Sequence, residues 1–211
     1  MVEKMLLDQR CHTQETNPFT MSSYFKSLLI SLAIVLFSGS AIAELIAHWP
    51  LDGNADDALG NHNGAGSSVV YGADGAAAHT GTAAEFNGSN STITIPFSSD
   101  LNPDSFTLSM WANADSTSGF ASAVTSRDDV AGPITHGYII YNNSGGNWDF
   151  WTGDGDVGWD SLAGPAVATV NWTHLTITYD AATDTKSLWV NGALAVSDNT
   201  PQSGPTQYVP S

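Results

Sequence analysis

Short runs that alternate apolar and polar residues, each ended by turn formers, most limit what this chain can fold into. In "SFTLSMWA", Phe106, Leu108 and Met110 fall on one side, and Thr107, Ser109 and Trp111 on the other. In "WTHLTITYD", Leu175, Ile177 and Tyr179 alternate with His174, Thr176 and Thr178. "STITIP", "GYIIYN", "NWDFWTG" and "KSLWV" are further β-rich runs, bounded by Gly, Asn, Asp or Pro. No stretch from residue 44 onward sustains a helical period. Strands recurring at about 8–12-residue spacing predict an all-β sandwich or barrel. Asn191-Gly192 in "VNGAL" predicts a tight hairpin, because both residues tolerate positive φ, and "FNGSN" (Phe86 to Asn90) reads the same way. There is no internal repeat and no linker, so a single antiparallel two-sheet sandwich is expected.

That sandwich begins well inside the chain. Residues 28–37, "LLISLAIVLF", form an apolar run behind Lys26 and ahead of "SGSAIA". Ala41 and Ala43 fit the small-residue pattern of a signal peptidase site, which predicts cleavage between Ala43 and Glu44. The run is too short to cross a bilayer core of about 30 Å as a helix. "MSSYFKS", from Met21, is short and positive as export signals are, whereas residues 1–20 are mixed in charge. Residues 1–20 are therefore expected to be an upstream artefact, 21–43 a signal peptide and 44–211 the exported domain. The one cysteine, Cys11, precedes that domain, which must hold together through its core, or through a metal, without a disulfide.

Charge narrows the partners. The chain carries 5 Lys and Arg against 21 Asp and Glu, a formal net charge of −16. From residue 44 onward its only cations are Arg127 and Lys186. Such a field repels nucleic acid and anionic membrane surfaces. A neutral glycan, a cation or an extracellular protein remains compatible, as does acidity that serves solubility alone.

Four segments together carry a resemblance. "AHWPLDGNADDALGNHNG", "TAAEFNGSNSTITIP", "FTLSMWAN" and "WTHLTITYD....KSLWVNGALAV" occur in the order and spacing of the laminin-G-like jelly-roll family, within the concanavalin A-like lectin/glucanase superfamily. The match runs from Ala47 to Val196. The resemblance implies two antiparallel sheets packed face to face, one of them concave, with loops at its rim. Family members continue past the "VNG" hairpin into further strands, whereas this sequence ends at "GPTQYVPS". The closing strands are thus expected to be missing, leaving a sheet edge open to association with another chain.

Two clusters offer chemistry. "LDGNADDALGN" presents Asp52, Asn54, Asp56, Asp57 and Asn61, oxygen donors of the kind a Ca²⁺ shell of six to eight ligands uses. The resemblance implies a calcium near this loop, and Asp52, Asp57 and Asn61 are the positions that match its pattern. A solvated turn, in which Asp and Asn cap their own backbone, explains the same composition. In "WTGDGDVGWD", Trp151 and Trp159 stand beside Asp154 and Asp156. Indole faces stack on the apolar face of a sugar while carboxylates accept its hydroxyls, so these four are the candidate ligand-binding residues. The segment lacks the D-x-D-x-D-G core and the terminal Glu of an EF-hand, which excludes that reading. By alternation, Trp148 and Phe150 share one face of their strand and Asp149 and Trp151 the other.

Catalysis finds no support in the sequence. Retaining glycoside hydrolysis needs two carboxyls about 5–5.5 Å apart, and the E-x-D-x-x-E strand motif that supplies them in laminarinase-like relatives does not occur. Glu44 abuts the cleavage site and Glu85 stands alone. No G-x-S-x-G elbow or H-E-x-x-H motif is present. The leading expectation is a secreted, periplasmic or cell-surface recognition module without catalytic activity, binding a glycan or an extracellular protein, with calcium as a structural cofactor. The competing expectation is a structural or adhesive module of a surface assembly with no small-molecule ligand, and a glycan-active enzyme is the third alternative.

Overall fold

Leu175, Ile177 and Tyr179, placed on one strand face by alternation, are all buried, while His174, Thr176 and Thr178 between them keep partial solvent contact. The computed structural model describes residues 44–77, 81–127, 134–202 and 204–211. The chain divides into units of residues 1–44 and 45–211, and the fold described is that of the second. The start at Met21, the signal peptide and cleavage after Ala43 lie outside the described residues. No helix among the described residues is long and apolar enough to cross a membrane.

Among the described residues all strand pairing is antiparallel. One sheet contains β5 (Phe106–Asn113), β10 (Trp172–Asp180), β11 (Thr185–Val190) and β12 (Ala193–Asp198), in the order β12-β11-β10-β5. The other contains β6 (Ala121–Thr125), β7 (Tyr138–Asn142), β8 (Asn147–Gly153) and β9 (Trp159–Ala166), in sequence order. Two small pairs join β1 (Ala65–Ser67) to β4 (Thr92–Thr94) and β2 (Val70–Asp74) to β3 (Thr82–Glu85). Leu175, Ile177, Tyr179 and Leu188 of the first sheet meet Tyr138, Ile140, Trp148, Phe150 and Leu162 of the second in one buried cluster. Each such side chain contributes about 1.5–3 kcal/mol through burial, so this cluster is the main source of stability in a domain without disulfides. The expected all-β, two-sheet sandwich is the observed architecture.

The hairpin at Asn191-Gly192 forms as predicted, with φ of 51° and 78°, and joins β11 to β12. "FNGSN" does not make a hairpin. The strands that flank it, β3 and β4, belong to different pairs. Asn87 instead turns the chain with its side chain, whose Oδ1 accepts the N–H groups of Ser89, Asn90 and Ser91. An Asx turn competed for the same residues and won.

The residues after β12 are built into the sandwich. Tyr208 packs against Phe106 and Tyr179 at ring-centroid distances of 5.2 and 5.0 Å. Val209 donates its N–H to the Gly153 carbonyl and accepts from the Gly137 N–H, at 2.7 and 2.8 Å. Lys186 is the unexpected member of the interior. It is fully buried on β11, between the sheets, with its Nζ 2.9 Å from Oδ1 of an equally buried Asp160 on β9.

Candidate ligand-binding face

In the loop before β1, the Asp57 carboxylate takes four backbone donors. Oδ1 accepts from His48 and Leu59 at 2.8 and 3.1 Å, and Oδ2 accepts from Asn61 and His62 at 3.1 Å each. Burial alone would raise this carboxyl, but the four N–H groups outweigh it and hold Asp57 below the usual carboxylate range. Two acceptor directions per oxygen are thereby filled, leaving none for a cation. Asp52 lines the same shallow depression as Asp57, but its Oδ1 accepts the Thr82 N–H at 2.7 Å. Asn61 enters the arrangement through its backbone N–H. Among the described residues no group of three or more His, Cys, Asp or Glu side chains is placed to hold a metal. Asp52, Asp57 and Asn61 fit a loop clasp, and as a Ca²⁺ shell they do not fit. The sequence pattern D-x-x-G-N has a backbone explanation: the carboxylate gathers the N–H groups of the turn it begins, and Gly60, at φ 81°, permits that turn.

The second predicted cluster separates into two parts. Asp154 is fully buried, its Oδ1 accepting the Asp156 N–H and its Oδ2 the Gly204 N–H, both at 3.0 Å. It fastens the C-terminal segment and offers no surface to a ligand. Asp156 is exposed, but its Oδ1 accepts the Val157 N–H at 2.7 Å and its carbonyl accepts the Thr135 N–H at 3.0 Å. Asp154 therefore shapes a loop, a correction to its expected place beside the tryptophans, while Asp156 stays exposed on the turn that leads to Trp159. Trp159 starts β9 opposite Gly153, and Trp151 lies opposite Ser161. The two indoles thus share the solvent side of their sheet, Trp151 as alternation predicted and Trp159 through the β8–β9 register, while Trp148 and Phe150 point into the core.

Trp151 sits within an aromatic corner that the sequence did not reveal. Its ring lies 5.2 Å from Tyr141 and 5.9 Å from Phe120, and Phe120 lies 5.3 Å from Tyr141. All three pairs are edge-to-face, with interplanar angles of 71–76°. Phe120 is 57% exposed, and Tyr141 and Trp151 are half-buried. Asp149 stands on β8 two residues before Trp151 and opposite Tyr141. Its Oδ2 accepts from Asn143 Nδ2 at 2.7 Å and from Trp151 Nε1 at 3.2 Å. Among the described residues its Oδ1 is buried with no hydrogen-bond partner. Such an orphaned acceptor costs roughly 1–3 kcal/mol, a cost that structures retain mainly at functional sites or where water enters. Arg127 reaches the rim, its guanidinium donating to the Tyr141 hydroxyl at 3.3 Å. The corner thus combines three rings, a partnerless carboxylate oxygen, an amide and a cation.

Alternation alone could have joined Asp149 to Trp151. Tyr141 required the β7–β8 register, and Phe120 lies in a loop ahead of β6 with no pattern to announce it.

The sequence profile of a family described as the concanavalin A-like lectin/glucanases superfamily matches residues 87–209. No curated protein matches the chain. Among solved structures, the fourth domain of an extracellular arabinanase from Geobacillus stearothermophilus, in complex with arabinotriose, is 24% identical. That match covers 79% of each chain with a TM-score of 0.57, a likeness of fold. A sialidase carbohydrate-binding module from Ruminococcus gnavus, bound to α2,3 sialyllactose, is 16% identical with a TM-score of 0.39. It covers 45% of this chain, which spans 52% of that module. An S-layer domain-containing protein from Clostridium thermocellum is 21% identical over 76% of each chain, with a TM-score of 0.43.

Proposed function

Because this chain belongs to the concanavalin A-like lectin/glucanases superfamily, we propose that it is a secreted carbohydrate-binding module without catalytic activity. The observation that carries this reading is the Phe120–Tyr141–Trp151 corner with the partnerless Asp149 Oδ1 at its base. A sugar brings an apolar C–H face and several hydroxyl donors. The rings receive the first, and a hydroxyl that reaches Asp149 would supply its Oδ1 with the bond it lacks. The arabinotriose-bound structural neighbour supports a neutral glycan as the ligand class. A carboxylate pair for hydrolysis needs two acids flanking one bond, whereas among the described residues one carboxylate, Asp149, bonds within the corner. Calcium has no part in this proposal, since the Asp57 lone pairs are already occupied. The predicted signal peptide and the acidic charge support an extracellular or periplasmic location.

The test is Trp151→Ala, read by affinity electrophoresis in soluble polysaccharides and by fluorescence titration with arabino- and sialyl-oligosaccharides. The wild type should bind at least one of these glycans, and the variant should lose at least tenfold in affinity, about 1.4 kcal/mol. Tyr141→Phe, which removes only the hydroxyl facing Arg127, should keep the fold and weaken binding less. Unchanged binding in Trp151→Ala, with the same thermal stability as the wild type, would refute this site.

A further inference from the structure

Strand register lays out the solvent side of the sheet that carries Trp151. On β8, Asp149, Trp151 and Gly153 point to that side, because Trp148, Phe150 and Thr152 point into the sandwich. On β9, Ala163, Ser161 and Trp159 stand opposite those three in turn. Cross-strand rows follow: Tyr141–Asp149–Ala163, then Ile139–Trp151–Ser161, then Gly153–Trp159. Neighbouring rows lie about 7 Å apart, the rise of two strand residues.

The last of these rows is built over. A Cβ on Gly153 would collide with His136 N and the Thr135 carbonyl carbon, so backbone occupies the space of a side chain on the tryptophan side. Gly137, at φ 84°, turns the chain there before β7 begins. Thr135 donates its N–H to the Asp156 carbonyl and accepts the Gly155 N–H, both at 3.0 Å, and Ile134 bridges Val157. This wall is fastened to the β8–β9 turn and ends the platform one row beyond Trp151. Phe120 and Tyr141 bound a second side, where both rings meet Trp151 edge-to-face. Ile139, next to Trp151 on β7, is 1% exposed, so the floor is closed there too. Among the described residues the low side is β9. It ends the sheet order, and its outward residues in the first two rows are small: Ala163 is exposed and Ser161 half-buried. Ala163 lies directly opposite Asp149, whose Oδ1 awaits a donor.

Given the carbohydrate reading above, on which this rests, we propose that the corner is a blind-ended subsite for the terminal sugar of a neutral glycan chain, the rest of which leaves across β9 at Ala163. A sugar stacked on Trp151, with a hydroxyl on Asp149 Oδ1, meets the backbone of residues 135–136 along β8 and the aromatic rings at the corner. Its next unit passes over Ala163, where the side chain is one methyl group. An internal unit of a chain needs two ways out of its subsite, and this arrangement gives one. Trp159 stands in the row of the wall, so it flanks the subsite and does not extend the Trp151 platform into a track for several sugars.

A glycan array of linear neutral oligosaccharides selects the probe, and its parent polysaccharide tests for end binding. Partial hydrolysis of that polysaccharide, at constant sugar mass, should raise the number of binding sites in step with the number of chain ends, read by isothermal titration. Ala163→Phe, at an exposed position, should lower affinity for the matching hexasaccharide at least about tenfold while keeping the wild-type melting temperature. With binding lost in Trp151→Ala, a site number that stays constant or falls on hydrolysis overturns end binding and leaves the glycan reading standing. Ala163→Phe binding the hexasaccharide like the wild type overturns it as well. No sugar bound on the array refutes the glycan reading itself, and end binding with it.

Discussion

Replacing Lys186 by Met removes the most consequential charge in the molecule. Its Nζ donates to the Asp160 carbonyl at 2.8 Å and to Thr152 Oγ1 at 3.2 Å, and lies 2.9 Å from Asp160 Oδ1. The contact with Oδ1 is close but poorly aligned as a hydrogen bond, so it acts as a Coulombic pair inside the sandwich. Burial pushes the Lys186 ammonium below its ordinary value, while Asp160 pulls it back. Both side chains have zero exposure. Without the lysine, Asp160 keeps, among the described residues, only the Gln202 N–H, 3.3 Å from Oδ2, as a donor. Stripping one partner from a buried pair costs about 3–5 kcal/mol, because an uncompensated charge remains. For a domain of this size, that lowers the melting temperature by roughly 6–20 °C. Removing both charges, in Lys186→Met with Asp160→Asn, should recover most of the loss, since the desolvation penalty disappears with the pair. The assay is urea unfolding followed by tryptophan fluorescence, with the slope checked for constancy among variants. A single-variant cost below about 1 kcal/mol would refute the reasoning, as would a double variant whose cost is the sum of the two singles.

Stability should fall as pH rises above about 10, because burial raises the hydroxyls of Tyr138, Tyr179 and Tyr208 above that ordinary value. The unfolded chain then loses protons that the folded one keeps, and unfolding midpoints at pH 9 and 11 would show it; Tyr208→Phe should flatten the slope. Gly153→Ala should destabilise strongly, since a Cβ there would collide with the backbone at His136 N and Thr135 C; a melting temperature within a degree or two of the wild type would contradict that approach. Adding calcium or a chelator should leave the melt unchanged, whereas stabilisation of about 2.7 kcal/mol at a hundredfold excess over Kd would restore the metal reading.

The fold was legible because the signal behind it is local. Alternation in "WTHLTITYD" and "FTLSMWAN" assigns each residue to a face without knowledge of its neighbours, and burial follows those assignments. The site was legible only where it inherits that alternation. Trp151 was placed on the side opposite Trp148 and Phe150 correctly, because face is a property of the strand. What surrounds Trp151 depends on strand register and on a loop: Tyr141 arrives by pairing across β7 and β8, and Phe120 from ahead of β6. Asp154 and Asp57 misled for the opposite reason. Acidic residues among glycines and asparagines compose both cation loops and loops that bind their own backbone, and composition cannot separate the two. The distinction lies in the lone pairs. Where backbone N–H groups fill them, as at Asp57, the carboxylate is structural. Where one is buried and left open beside exposed rings, as at Asp149, the carboxylate is the residue to test for a ligand. Lys186 follows the same rule from the side of the cation. Its place within a β-run would suggest a solvent-facing snorkel, yet alternation from Leu188 turns it inward, and the Asp160 carbonyl and carboxylate make that position tenable.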